Sequence, residues 1–471
     1  MPAFRLREML VRMTKPIARL ASVLNSLRLC SLAFLALVGG QAAAADKPNV
    51  ICIMADDLGR GDYSAFGTPE IRTPHIDRLF REGMACDNFF ANSCVCSPTR
   101  AALLSGCFPD RVGVPGVIRD VPQDSWGYLA PQATLLPKTL KQAGYHTAIV
   151  GKWHLGYESP NTPNERGFDF FHGFLGDMMD DYRTHLRNGK NFMRRNAEIV
   201  SPAGHATDLF TDWACDYLDE RAKSDSPFFV YLAYNAPHDP IQPPAEWLGK
   251  VQQREPRMSS KRAALMALIE HLDSGIGRVL ETLDRTGLTA NTLVIFTSDN
   301  GGVLNHEANN GPWRSGKTHM YEGGLRVPLA ARWPGRIAPG GHTDGLWLSM
   351  DLFPTILQAC GIEPPPDIDG ISLLDALTGR PTKPPQRHLY FVRREGGPAY
   401  GGKTIEAFRR GDWKLVQDSP FGPPELYNLR DDPRETKNLA ASHRTTLENL
   451  SAALRLQIQR GGEVPWQRES N

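Results

Sequence analysis

The chain contains no C-x-x-C pair, no run of about 20 apolar residues and no excess of either charge. Each absence excludes a class. Without C-x-x-C, neither a zinc knuckle nor a thioredoxin-like redox motif is offered. Without a long apolar run, nothing reads as a transmembrane helix, and an integral membrane protein is not expected. With 53 Lys and Arg against 52 Asp and Glu, the formal net charge is +1, and no basic surplus points to nucleic acid. Internal repeats are missing, and no low-complexity tract follows the N-terminal region. What remains is an ordinary globular composition, 41% hydrophobic and 22% charged over 471 residues. That is enough for a large core and, as a soft prior from length, more than one domain.

The near-zero charge hides an asymmetry. Residues 1–45 carry Arg5, Arg7, Arg12, Lys15, Arg19 and Arg28 against Glu8 alone, so the rest of the chain is mildly acidic. The basic region runs into the short apolar stretch "LCSLAFLALV" (29–38) and then "GGQAAAAD", with small residues at A-x-A spacing. That order is the pattern of a secretory signal peptide over 1–45, cleaved after Ala44 or Ala45. The expectation is export, to a periplasm or the exterior. Cys30 lies inside the apolar stretch rather than at its end, which argues against a lipid anchor. Cys52, Cys86, Cys94, Cys96, Cys107, Cys215 and Cys360 follow the signal. Disulfides are permitted in such a compartment, and an odd count leaves at least one thiol outside an intramolecular bridge.

Four stretches share one pattern: an apolar run, then polar residues, then a Gly- or Pro-containing loop. They are "NVICIMADDLG", "HTAIVGKWHLG", "PFFVYLAYNAPHDP" and "TLVIFTSDNGG". Continuous apolar runs read as parallel strands covered on both faces. Helical stretches such as "TLLPKTLKQAG" and the long segment from Lys261 to a glycine stop lie between them. Alternating strands and helices predict an α/β fold, a mostly parallel sheet flanked by helices over 46–385. After the Pro-rich "RPTKPPQ", short strands and a final amphipathic stretch predict a smaller C-terminal α+β subdomain over 386–471. In open α/β sheets, sites collect at the carboxyl ends of the strands. All four polar clusters fall there.

Asp56-Asp57 and Asp299-Asn300 each close an apolar run and precede a glycine-containing turn. Turn capping accounts for either pair alone. Brought together on neighbouring strands, three carboxylates and an amide form an all-oxygen set suited to Ca²⁺ or Mg²⁺ rather than zinc. Lys152 and His154 alternate in "GKWHLG", so both face one side if that stretch is extended. His238 in "APHDP" and Lys317 in "RSGKTHMYEGG" add further basic groups. Cations beside a metal suit an anionic substrate and a proton-transfer step. His306 and His319 carry only a surface or packing reading. In "CVCSPTR", Pro98 suits the first turn of a helix, which places Cys96 at a helix N-terminus with Arg100 one turn on. Such an environment lowers a thiol pKa, and a cysteine nucleophile is one reading. A hard cation matches a thiolate badly, so an oxygen nucleophile fits the acidic cluster better.

Cys96-Ser97-Pro98-Thr99-Arg100 with Leu103-Leu104-Ser105-Gly106 resembles the type I sulfatase signature, and "GYHTAIVGKWH" resembles the family's second signature. "MADDLG", "APHDP", "SDNGG", "GKTHMYEGGLRVP", "GDWKL" and "ELYNLRDDP" are similar to further family blocks, in the family's order. The resemblance covers nearly the whole chain after the signal. It implies an alkaline-phosphatase-like fold and hydrolysis of sulfate monoesters, with a sulfated sugar or aryl sulfate as substrate. It also implies that a maturation enzyme converts Cys96 to formylglycine, whose hydrate is the nucleophile. One Ca²⁺ would be held by Asp56, Asp57, Asp299, Asn300 and position 96. Arg100 and Lys152 would stabilise the hydrate, and Lys152 would also contact sulfate. His154 would take the proton that lets sulfate leave. His238 and Lys317 would bind sulfate and help protonate the leaving alcohol.

This chain departs from the pattern at Thr99, at Ser105 and at Cys94, which replaces a small residue and could trap Cys96 in a disulfide. "DMMDDYRTH" has no match among the blocks; Asp180 and Asp181 there would bind sugar hydroxyls or form a solvated turn. Two rival functions stand beside the main one. A phosphatase or phosphonate monoester hydrolase could use the same fold, although the extra ligands of a two-zinc phosphatase are not found. A non-catalytic sulfoglycan-binding protein would result if Cys96 were never converted.

Overall fold

Asn49–Ala55 (β1) has no polar side chain after Asn49, and every one of its residues is buried. Such a strand needs apolar cover on both faces, and the computed structural model supplies it. The structure describes residues 47–380, 386–395, 402–419 and 421–466; the expected signal peptide and the 381–385 part of the Pro-rich stretch lie outside them. Along the chain the remaining strands of the main sheet are Met84–Cys86 (β2), His146–Lys152 (β3), Phe170–Phe174 (β4), Met193–Arg195 (β5), Glu198–Ile199 (β6), Phe228–Ala233 (β7), Thr292–Ser298 (β8), Leu329–Arg332 (β9) and Gly341–Thr343 (β10). The sheet has ten strands in the order β10-β2-β9-β8-β1-β7-β3-β4-β5-β6. Its centre, β8-β1-β7-β3-β4, is parallel throughout. β9 and β5 run antiparallel to it on the two sides.

Alternation along β1 sorts the core. Val50, Cys52 and Met54 join one apolar cluster, and Ile51, Ile53 and Ala55 join another on the opposite face. The first face is covered by Cys96–Ser105 (α1), Leu136–Gln142 (α2) and Leu352–Ala359 (α3). The second carries the long helix Ser260–Thr286 (α4), which starts where Ser259 Oγ accepts the Arg262 amide and stops at Gly287, whose φ of 74° is left-handed.

The C-terminal segment forms an antiparallel meander of His388–Arg394 (β11), Thr404–Arg410 (β12), Trp413–Gln417 (β13) and Glu425–Asn428 (β14). Helix Arg444–Gly461 (α5) packs on it through Leu450 and Leu454. The same apolar cluster takes in Phe90, Cys94, Ala102, Met320 and Leu325 from the larger part. The described residues from Pro48 onward accordingly form one compact unit, with the small sheet built into it.

Candidate active site

The register Met54–Thr297 and Ala55–Ser298 between β1 and β8 sets the geometry. It brings the residues just beyond both strands side by side. The Asp57 amide donates to Asp299 Oδ1 at 3.2 Å, and Asn300 Nδ2 donates to Asp57 Oδ1 at 2.7 Å. Asp56, Asp57, Asp299 and Asn300 are all buried. The expected pairing of the two acidic turns is therefore present.

The basic residues arrive from four other segments. Arg100, on the second turn of α1, is wholly buried; its Nε and Nη2 donate to Asp299 Oδ2 at 3.0 and 2.7 Å. Lys152 closes β3 and donates to Asp56 Oδ2 at 2.5 Å. Lys317 Nζ donates to Asp57 Oδ2 at 2.7 Å and lies 2.9 Å from His238 Nε2. His238 Nδ1 lies 2.8 Å from the Asp239 carbonyl, which fixes the proton on Nδ1 and leaves Nε2 to accept from Lys317. Burial works against the Arg100 charge, yet Asp299, Tyr231 and Asp56 together hold it above its usual value. Burial would raise Asp56, but Lys152, His238 and Arg100 bring it to about 2. Burial, joined by the nearby Asp56, pushes Asp299 up, a load that a cation in the same space relieves.

Position 96 completes the cluster, with Cys96 Sγ 3.4 Å from Asp56 Oδ1. The helix start was expected to lower this thiol. Burial and Asp56 instead push it well above its usual value, because the carboxylates are closer than any benefit from the helix end. Among the described residues neither Cys94 nor Cys96 is in a disulfide, so no bridge joins position 96 to its neighbour. The Cys94 side chain packs in the cluster shared with the C-terminal sheet. The Thr99 hydroxyl accepts the Ser93 amide at 3.1 Å, which pins the loop ahead of the helix.

His154 departs from the extended geometry assumed for "GKWHLG". Its φ is 58°, a left-handed backbone, so alternation along the strand does not explain its position. The ring is placed by Ile118, whose carbonyl lies 2.9 Å from Nε2 and accepts its proton. Ile118 is held in turn by its amide's bond to Ser97 Oγ at 3.1 Å. His154 Nδ1 is left buried with no partner, a lone pair available for a proton. Asp57 and Thr318, also beside the site, have positive φ as well, at 67° and 76°.

Burial, reinforced by Lys152 and Arg100, holds the His154 imidazole well below its usual 6.5. Below pH 6.5 the unfolded chain takes up a proton that the folded chain refuses. Stability is therefore lost as pH falls through that value, and the loss levels off only beneath the depressed folded pKa. Between pH 7.5 and 5.5 the wild type is expected to lose about 1.4 kcal/mol more than His154→Gln. Denaturant unfolding at the two pH values measures this; equal losses in the two proteins would refute it.

Several supports were invisible in the sequence because they are backbone groups or lie in unmatched segments. The Ile118 carbonyl is one. Tyr182 is another: its hydroxyl lies 2.8 Å from the carbonyls of Asn235 and His238 and steadies the His238 turn. Asp180 and Asp181 form a turn, with Asp181 Oδ1 accepting the amides of Arg183 and Thr184 and Asp180 paired with Arg187. His306 pairs with Asp239 at 2.9 Å.

The donor set fits a hard divalent cation. Asn300 Oδ1 is buried and has no hydrogen-bond partner, which is costly unless an ion meets it. Ligand atoms of Asp56, Asp57, Cys96 and His238 lie within 4.8 Å of one another. Asp299 and Asn300 beside them bring the oxygen-bearing side chains to four, a set that suits a hard cation.

Comparison with known proteins agrees with this geometry. The family model described as Sulfatase matches residues 48–362, and the one described as N-sulphoglucosamine sulphohydrolase, C-terminal, matches 313–461. The chain is 33% identical over 397 residues to N-acetylgalactosamine-6-sulfatase of Canis lupus familiaris, covering 80% of this chain and 72% of that one. It is 32% identical over 476 residues to arylsulfatase A of Homo sapiens, covering 90% and 89%. Among solved structures, Ps i-CgsB in complex with k-i-k-neocarrahexaose superposes with a TM-score of 0.80 at 29% identity, covering 90% of this chain and 95% of that chain. The ten-stranded sheet, the small C-terminal sheet and the matched length together place the chain in the sulfatase family, as a sulfuric ester hydrolase.

Proposed function

We propose that this chain, once exported, removes sulfate from a sulfated sugar, using one calcium ion and a formylglycine made from Cys96. The observation that supports this reading is the meeting of Asp56, Asp57, Asp299 and Asn300 with Cys96 and with three cationic side chains at one end of the sheet. The sugar comes from the relatives: one is named for N-acetylgalactosamine 6-sulfate, and a similar structure holds a neocarrahexaose.

Asp56, Asp57, Asp299, Asn300 and position 96 would hold the calcium ion, which would neutralise sulfate oxygens and orient the hydrate oxygen that formylglycine supplies. Without metal, three carboxylates face Arg100, Lys152 and Lys317 and the charges cancel. A divalent cation makes the site positive, and an anionic ester meets that charge. Arg100 and Lys152 are too buried to move, so they hold position 96 and the acidic cluster in place. His154, neutral with a free Nδ1, accepts a proton. Lys317 and His238 retain some exposure, 14% and 11% of their side chains, so they sit where the ester enters; Lys317 can give a proton to the departing alcohol, and His238 Nε2 holds its ammonium in place.

Mass spectrometry of the Cys96 peptide, with turnover on a panel of sulfated saccharides, tests the reading. A fully unmodified thiol from a host with maturation machinery would leave the sulfoglycan-binding alternative standing. Faster turnover of phosphonate esters would favour the phosphonate hydrolase. Chelation is expected to lower turnover roughly 100-fold or more, with recovery on adding Ca²⁺. Unchanged turnover in excess chelator would remove calcium from the proposal.

A further inference from the structure

Lys414, the second residue of β13, is a lysine with no exposed side-chain surface. A buried lysine is rare unless paired. Its Nζ lies 2.9 Å from Glu322 Oε1 and 2.8 Å from Glu435 Oε1. Glu435 Oε2 accepts the Glu322 amide at 2.7 Å. Glu322 also holds Arg326 Nε at 2.6 Å, with Arg409 Nη1 3.6 Å away. Burial would raise Glu322, but Lys414, Arg326 and Arg409 keep it well below its usual range. None of these residues touches the acidic cluster or position 96.

The turn that begins at Glu322 leads to the site through backbone alone. The Gly301 amide donates to the Gly324 carbonyl at 3.0 Å, directly after Asn300. The approach is so close that a Cβ on Gly301 would lie 2.0 Å from the Gly323 carbonyl oxygen. The Lys317 amide donates to the Gly302 carbonyl at 3.1 Å. Asn300 and Lys317 are thus carried on one hydrogen-bonded unit, and Glu322 is its anchor to the C-terminal sheet. A second tie runs beside it: the Thr318 amide donates to the Cys94 carbonyl at 2.9 Å, and Arg393 Nη1 of β11 donates to the Thr318 carbonyl at 3.2 Å.

We propose that Lys414 is a positioning residue of the active site, holding the Asn300 turn and the Lys317 loop in register through Glu322 and Glu435. This deepens the proposed function and rests on it for the roles of Asn300 and Lys317. Outer supports of metal ligands typically govern affinity or activity by about 10- to 100-fold.

Lys414→Met and the milder Glu435→Gln test it, each at a temperature where circular dichroism shows the full fold. Two readouts are taken on apo protein: hydrogen exchange of the 299–325 peptide against that of 49–57, and Ca²⁺ affinity by calorimetry. The expected result is exchange about 10-fold faster in 299–325 with 49–57 unchanged, and Ca²⁺ binding about 10-fold weaker, with Glu435→Gln moving the same way by less. If Lys414→Met does not fold, Glu435→Gln decides. Wild-type exchange and wild-type Ca²⁺ affinity in the folded variants would overturn the proposal. Turnover is measured separately. A wild type that hydrolyses no sulfate ester would overturn the proposed function, while the exchange readout still decides the role of Lys414.

Discussion

Cys96→Ala is expected to reduce kcat/KM for any sulfate ester on the order of 10⁵-fold while leaving the fold intact. The side chain is buried and its one polar contact is the 3.4 Å approach to Asp56 Oδ1. Loss of one sulfur atom at a helix start removes little packing, so the thermal midpoint should move by no more than about 2 °C. The chemistry is affected far more. The remaining groups can bind and polarise an ester, but none is an oxygen nucleophile facing the cluster. Cys96→Ser separates two explanations. It restores a hydroxyl without an aldehyde, so single-turnover attack with no second turnover is expected from a host that does not convert serine. Sustained turnover by Cys96→Ala would remove position 96 from the mechanism.

Asp299→Ala should be the most damaging single change to both stability and activity. Asp299 Oδ2 accepts two bonds from Arg100, and both side chains are fully buried. Removing it leaves the guanidinium with the Lys152 carbonyl at 3.3 Å and the Asp56 carboxylate at 3.5 Å. Breaking a buried pair in this way costs about 3–5 kcal/mol. Asp56 then carries both Lys152 and Arg100, and the acceptor of the Asp57 amide disappears. Turnover is expected to fall at least about 1,000-fold, since metal geometry and Arg100 placement fail together. Asp299→Asn keeps the shape and one acceptor, so it should recover part of the stability and little of the activity. Urea unfolding alongside Ca²⁺ titration measures both. Equal stability of Asp299→Ala and wild type would contradict the weight given to the Arg100 pair.

The parallel strands and the residues at their ends were legible because burial on both faces forces uninterrupted apolar runs, and those runs end at the polar residues of the site. Asp56, Asp57, Asp299 and Asn300 could be grouped from that alone. Position 96 could not, since "CVCSPTR" follows no long strand; its helix start suggested a cysteine nucleophile, and only the family resemblance tied it to the acidic cluster. The left-handed backbone of His154 was not legible, because alternation assumes an extended strand. The thiol was misjudged. A helix start is visible in sequence, whereas the burial of the thiol, and the carboxylate 40 residues away that joins it, are not, and together they outweigh the helix end. Nothing in the sequence around Lys414, within "GDWKL", marks it as buried. Only its complete burial against two glutamates reveals the tie to the 315–325 loop.

The burial of the helix that opens with Cys96 turns a fact of space into one of time. Cys96, Ser97, Pro98, Thr99 and Arg100 are all covered in the folded chain. If Cys96 is converted as proposed, an enzyme that modifies it and reads its neighbours would have to meet this segment as an open chain, before the helix packs under the sheet. Once the chain has closed, the same five residues would be out of reach, and a copy that folded first would stay unconverted. Folding speed and maturation speed would then compete, and the active fraction would record which was faster.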